Sequence, residues 1–346
     1  MKRDCKTFAG TFLLILMTIG ASSAVITRSF TKSWPVGQVE TLEVINKFGD
    51  VKVENSSGNQ ITVDVKVTVE SEGTQARNVL ESISVNFSGP GAKVTAETKM
   101  EAEFKSGIKF RIDYTVQIPG NKNLIISNKF GNVFVPALTG KGTFNIGYGN
   151  FTAGQLLSPG TDGLQLILEY GKADIESIGD AVVKVSFSKF FLKSMDNLSL
   201  ESRYSTVNID KLGSVLLDSR YDTFNFGDVR ALEGESRYSN YKVGVLHKRM
   251  KLESGYGTIR VDHIPAGFEE IDIRSSYATV YLGIETGASY QLNSSCEFCT
   301  VDYPGDDFAG KRTAENTRQT VEGKVAGGSS SKVTVMSRFG NIRLVK

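Results

Sequence analysis

The chain has 346 residues, 40% of them hydrophobic and 35 of them glycine, with a formal net charge of +2. That composition suits a folded, turn-rich β protein and excludes a disordered one. Near neutrality removes the electrostatic case for nucleic acid as a partner.

Residues 1–24 have the three parts of a secretory signal: basic Lys2, Arg3 and Lys6, an apolar run over 12–19, then small residues ending at Ala24. The apolar run is far shorter than the roughly 20 residues that cross a bilayer. Removal after Ala24 is therefore expected, and an uncleaved segment would be the only membrane attachment. Removal takes away three basic residues and one acid, Asp4, so the mature charge falls to zero. Cys5 precedes the apolar run, whereas a lipid-modified cysteine would follow it. The expected location is the periplasm or the cell surface.

Residues 25–120 are read as a first coil plus a small α/β cap. TLEVINKFGDVKVEN, over 41–55, places a strand, Phe48-Gly49 and a second strand in series. An alternating strand over 61–69 follows, then TQARNVLESI with Ala76, Val79, Leu80 and Ile83 on one helical face, then strands near 94–98 and 108–118. A cap is expected physically, because the open end of a stacked structure exposes unpaired backbone and apolar interior.

Residues 121–346 repeat themselves. LIISNKFGNVFVP around Phe130, FNIGYGNFTAG around Tyr148 and LQLILEYGKADIES around Tyr170 lead to a poorer copy, VKVSFSKFFLKSM, centred on Phe190, where Lys193 occupies an apolar position. Five clear copies then carry Tyr204, Tyr221, Tyr238, Tyr256 and Tyr277 at spacings of 17, 17, 18 and 21. Further copies surround Phe298 and Phe339, and the polar stretch 304–331 between them reads as a surface loop.

Each half of a copy alternates with period two, which is the side-chain period of a strand and not of a helix. Two strands of about five residues and two turns account for one coil of a parallel β-solenoid. About 11 coils are expected, stacked about 4.8 Å apart so that equivalent residues form columns. Leu198 and Leu200 with their counterparts fill the interior, as do Val207 and Ile209 with theirs. The tyrosines lie at a corner, where rings either pack as a ladder or offer a platform to carbohydrate. The serine two places earlier, as at Ser202, can hydrogen-bond at the bend.

These NKFG phrases, the short helix and the run of S-x-Y-G/S-x-V-x-V coils resemble the bacterial putative-adhesin β-strand-repeat family, over nearly all of residues 37–346. The resemblance implies an all-β, right-handed parallel β-helix (β-solenoid) on an exported, adhesin-like protein. It implies no catalytic residues and no cofactor.

Outward positions supply the candidate binding residues. Glu201, Asp218 and Glu235, continued by Glu253, form one column, and Arg203, Arg220 and Arg237 form the next. Sideways pairing of acid with arginine is expected, leaving either a solvated face or a contact stripe for a glycan or an envelope protein. Thr206, Thr223, Thr258, Thr279 and Thr300 make a further outward column that strand preference alone explains. Cys296 and Cys299 straddle the corner at Phe298; a bend there would permit a disulfide, and free thiols are the alternative.

The enzyme alternative is a polysaccharide lyase or hydrolase on the same scaffold, which requires acids and bases converging in one groove. His247, His263 and the adjacent Asp306 and Asp307 are the residues it could draw on, all in turns or loops. No phosphate loop, zinc-ligand spacing or nucleophile elbow is present, so no metal site is expected.

Overall fold

The computed structural model describes residues 25–345 apart from 90, 102–106, 161–162 and 329, so the expected signal over 1–24 lies outside the described residues. The fold is all-β, 71% strand and 5% helix, wound as a β-solenoid of about nine turns. Fewer turns form than the aromatic phrases suggest because some corners are followed by a departure. After Phe298 the second strand is only Val301–Asp302, and after Phe48 the chain leaves at Asn55. Among the described residues no helix is long and apolar enough to cross a membrane.

The chain divides into two compact units, Met1–Gly149 and Asn150–Lys346, with the division some 30 residues beyond the expected boundary at 120. In the first unit, Thr41–Lys47 lies parallel between Lys93–Met100 and Asn123–Lys129. Beyond the bend, Val51–Asn55 lies parallel between Phe110–Ile118 and Val133–Leu138. The cap strands thus supply an outer coil of their own. Antiparallel Ile83–Ser88 covers one of its edges and Gln60–Val69 the other, with Ile26–Pro35 antiparallel outside that. Ile61, Val63, Val65, Val67 and Val69 alternate inward and are fully buried. The helix Gly73–Glu81 buries Ala76 and Val79, two of the apolar residues that its period selects.

In the second unit, successive coils pair in parallel with their neighbours, Val215 beside Leu198 and Leu232, and Leu232 beside Met250. Strands such as Lys189–Arg203 and Thr206–Arg220 continue through the bend between coils. That bend buries a third apolar column, Ile178, Met195, Leu212, Val229 and Leu246, where the sequence reading has only a turn.

Three sequence readings are corrected. The corner of the poorer copy is Phe187, which stacks between Tyr170 and Tyr204, while Phe190 is buried in the following strand and Lys193 points to solvent. The stretch 304–331 is not a loop: Phe308–Glu315 and Arg318–Val325 form an antiparallel hairpin, and the latter pairs with Tyr290–Glu297. Coil order also departs from chain order, since Lys332–Arg338 inserts in parallel between Glu270–Ser276 and Tyr290–Glu297. The Phe298 coil therefore lies outermost, and the hairpin covers the edge that it would otherwise expose.

At that corner Cys296 is fully buried in line with Ser337, and Phe298 adopts φ 59°. The bend brings the Cα atoms of Cys296 and Cys299 to 5.4 Å, and the two sulfurs are bonded.

Candidate functional site

The corner that organises the face is built from residues in a strained conformation. Phe187, Tyr204, Tyr221, Tyr238, Tyr277, Phe298 and Phe339 all have φ between 52° and 64° or just below, Tyr204 being at 51°. This left-handed region costs an L-residue about 1–2 kcal/mol. Ring stacking offsets it, at about 0.5–1.5 kcal/mol per pair. Tyr204, Tyr221, Tyr238 and Tyr256 stack with centroids 4.8, 4.8 and 4.6 Å apart and planes within 5°. The series continues through Tyr277 and Phe339 to Phe298. In the first unit a ladder joins Phe48, Phe130 and Tyr148.

These rings are about half exposed, yet each face between the ends of a ladder is covered by the next ring. A sugar stacks on a ring face, so the ladder offers carbohydrate only its edges. Packing is therefore the role that the geometry gives it. Replacing Tyr221 separates strain from stacking. Tyr221→Ala is expected to lose about 1–3 kcal/mol with its two stacks, and Tyr221→Gly to lose about 1 kcal/mol less, because glycine relieves the positive φ. Urea unfolding of the two variants makes the comparison.

Behind the rings, two polar columns close the bend from inside. Ser202, Ser219, Ser236, Ser254, Ser275 and Ser337 are buried, with Ser236 bonded to Ser254 at 3.1 Å and Ser275 to Ser337 at 3.0 Å. In the other column Ser205 accepts from the Ser188 N–H at 3.2 Å and donates to the Arg203 carbonyl at 2.8 Å. Ser239 repeats this with the Asp222 N–H and the Arg237 carbonyl. Asp222 stands between Ser205 and Ser239 in the column and is buried. It accepts from the Ser205 N–H at 2.7 Å, the Ser219 hydroxyl at 2.8 Å and the Arg220 N–H at 3.0 Å. Burial pushes its carboxyl above 3.8, against the pull of those donors.

A consequence for stability follows from the sign of that shift. Above pH 3.8 the unfolded chain releases the Asp222 proton while the folded chain still holds it, so this residue's contribution falls as pH rises from 3.8 to the folded value and then levels. Asp222→Ser restores the pattern of the adjoining coils. It is expected to raise stability at neutral pH by about 1 kcal/mol, with the gain fading toward pH 3. Urea midpoints of the two proteins across that pH range test it.

Outside the strand, the charged columns line a groove of about 540 Å³ bounded by Asp218, Arg220, Glu235, Arg237, Glu253 and Arg274, with Arg338 at one end. Among the described residues the expected sideways pairing holds for Arg203 and not for Arg220 or Arg237. Arg203 lies 3.0 Å from Asp218 and 3.6 Å from Glu201 and is largely covered. Glu201 is also paired to Lys184 at 3.1 Å. Among the described residues Arg220 and Arg237 form no ion pair, and both are exposed. The acid column ends at Glu253, because its next members are Arg274 and Met336.

His247 is exposed, 3.5 Å from Asp228, at the bend away from this groove. Asp306 and Asp307 lie in the short 3-10 turn Gly305–Asp307 that leads into the hairpin. Among the described residues no group of three or more His, Cys, Asp or Glu could hold a metal ion. Sequence reasoning missed Arg274 and Arg338, whose signal becomes visible only once the coil order is known.

No family model and no curated protein matches this chain. Among solved structures it is similar to one described as a putative cell adhesion protein of Clostridium sporogenes, at 8% identity, covering 92% of this chain and 98% of that one, with a TM-score of 0.21. A putative adhesin of Bacteroides fragilis is similar at 12% identity over 92% and 97%, with a TM-score of 0.28. One of Parabacteroides distasonis is similar at 13% over 74% and 97%, with a TM-score of 0.35. Likeness at these levels carries no argument about what the groove binds.

Proposed function

We propose that this protein is an exported, adhesin-like binding protein of the cell envelope, acting without catalysis through the charged face of its second unit. Its partner is a glycan or another envelope protein. The observation that carries this reading is the pair of exposed guanidinium groups, Arg220 and Arg237, which form no ion pair among the described residues and border a groove on the sheet. Arginines held on a β-sheet are preorganised donors for planar anionic or polyhydroxylated groups. The basic segment and apolar run before Ala24 support export.

The test is a glycan-array and cell-surface binding screen of the mature chain against Arg220→Ala/Arg237→Ala. Binding that falls at least tenfold in the variant supports the face, and binding that is unchanged removes it. The enzyme reading keeps one supporting observation, that Asp218, Glu235 and Glu253 share the groove with the arginines. Release of reducing ends or unsaturated products from a polysaccharide by the purified chain would replace the proposal with that reading.

A further inference from the structure

We infer that the gap in the arginine column between Arg237 and Arg338 is a binding notch for the anionic groups, sulfate ester or carboxylate, of an acidic polysaccharide. This rests on the binding role proposed above and names its ligand class.

The column runs Arg203, Arg220, Arg237 and then skips two coils, where Gly255 and Ser276 stand, before resuming at Arg338 beside Ser276. Crowding does not explain the gap: a Cβ added to Gly255 would meet nothing nearer than the Arg237 side chain at 3.8 Å. Three coil steps separate the flanking arginines, about 14 Å at Cα, so their long side chains can lean into the gap from both sides. From the neighbouring column Arg274 replaces the acid that the earlier coils carry there. Three guanidinium groups thus border a floor of small residues within the groove.

Their existing partners are weak. Arg274 lies 3.7 Å from Asp272, whose side chain is 23% exposed, and Arg338 lies 3.5 Å from the exposed Glu297; both guanidinium groups are exposed, while Arg237 has no ion pair among the described residues. The exposed Arg338–Glu297 pair is worth about 0–1 kcal/mol and the Arg274–Asp272 contact is beyond hydrogen-bond length, so both guanidinium groups keep N–H donors for an incoming anion. Glu253, beside Gly255, opposes an anion on the inner side of the notch, and Asp218 and Glu235 extend that opposition along the groove. The favoured pose therefore runs from Arg237 across Gly255 and Ser276 toward Arg274 and Arg338. Arginine binds both carboxylate and sulfate through paired N–H donors, which the notch can supply from two directions.

The test measures binding of the mature chain to dextran sulfate, polygalacturonate and uncharged dextran of similar length by surface plasmon resonance at two salt concentrations. Expected are binding to at least one of the two anionic polymers, none to dextran, and weakening with salt. The Arg274→Ala/Arg338→Ala variant should bind at least tenfold more weakly. Lys211→Ala/Arg230→Ala, which removes the same charge from exposed positions at the other bend, should change binding less than twofold. Equal loss in both variants, an unaffected Arg274→Ala/Arg338→Ala variant, or equal binding of dextran overturns the notch. Should the notch variant unfold, competition of inorganic sulfate against the bound polymer in the native chain decides, and no competition overturns the proposal. If the chain binds glycans or cells in the screen while the notch variant binds as well as the native chain, the notch falls and the broader binding role stands.

Discussion

Phe224→Ala is expected to destabilise the second unit by about 3–5 kcal/mol, the usual range for removing a fully buried phenylalanine. Phe224 is wholly buried, with its ring 4.9 Å from that of Tyr241 in the next coil and 5.5 Å from that of Phe226. The cavity cannot collapse easily, because parallel hydrogen bonding on both sides holds Val207, Phe224 and Tyr241 in register. In a repeat architecture each coil is stabilised by its neighbours, so a hole between two coils weakens the coupling across it. Equilibrium urea unfolding is expected to show a lower midpoint and a broader transition than the native chain. Leu216→Ala is the control: its side chain is 59% exposed, so the change should stay within about 0.5 kcal/mol. Equal effects at the two positions would show that burial in this column is not what holds the coils together.

What the sequence disclosed, and what it withheld, follows from how a solenoid is encoded. Inward columns were legible because Leu198, Leu200, Val207 and Ile209 alternate strictly, and alternation is a local property. The corner of the poorer copy was not, since SFSKFF offers aromatics three apart and only the left-handed backbone at Phe187 distinguishes them. The hairpin read as a loop because Phe308–Glu315 is solvated on both faces and shows no alternation, while its partner buries only Gln319, Val321 and Val325. Insertion of the last strand was invisible for a deeper reason. Ser337 fits beside Ser275 as well as beside Cys296, so near-identical columns do not specify which coil follows which. The candidate site inherits that limit. Arg203, Arg220 and Arg237 align in consecutive copies and could be found by inspection, whereas Arg338 joins them only through the inserted coil.

Gly131→Ala is expected to cost the first unit about 3 kcal/mol or more, at the upper end of what overpacking does. A Cβ at Gly131 would lie 1.9 Å from the Gly49 carbonyl oxygen and 2.5 Å from its carbon, and backbone cannot step aside as a side chain can. The same collision recurs for Gly49 against Ile112 and for Gly149 against Gly131. These corners therefore pack coil on coil through glycine, whereas the corners at Ser188, Ser205 and Ser239 pack through a hydroxyl that bridges N–H to carbonyl. The asparagine of the NKFG phrase explains the difference. Buried Asn128 donates to the Gly49 carbonyl at 3.0 Å and Asn46 donates to that of Ile112 at 2.9 Å, so the amide satisfies the oxygen that the missing Cβ allows so close. Alanine at 131 must push the coils apart and break both that bond and the backbone bond from Phe48 N–H to the Lys129 carbonyl. Gly37→Ala, where an added Cβ meets nothing within 4 Å, should be neutral to within about 0.5 kcal/mol. Thermal melts of the two variants separate the cases: a Gly131→Ala protein melting with the native chain would mean that the corner relaxes freely, and that asparagine and glycine are not paired there by necessity.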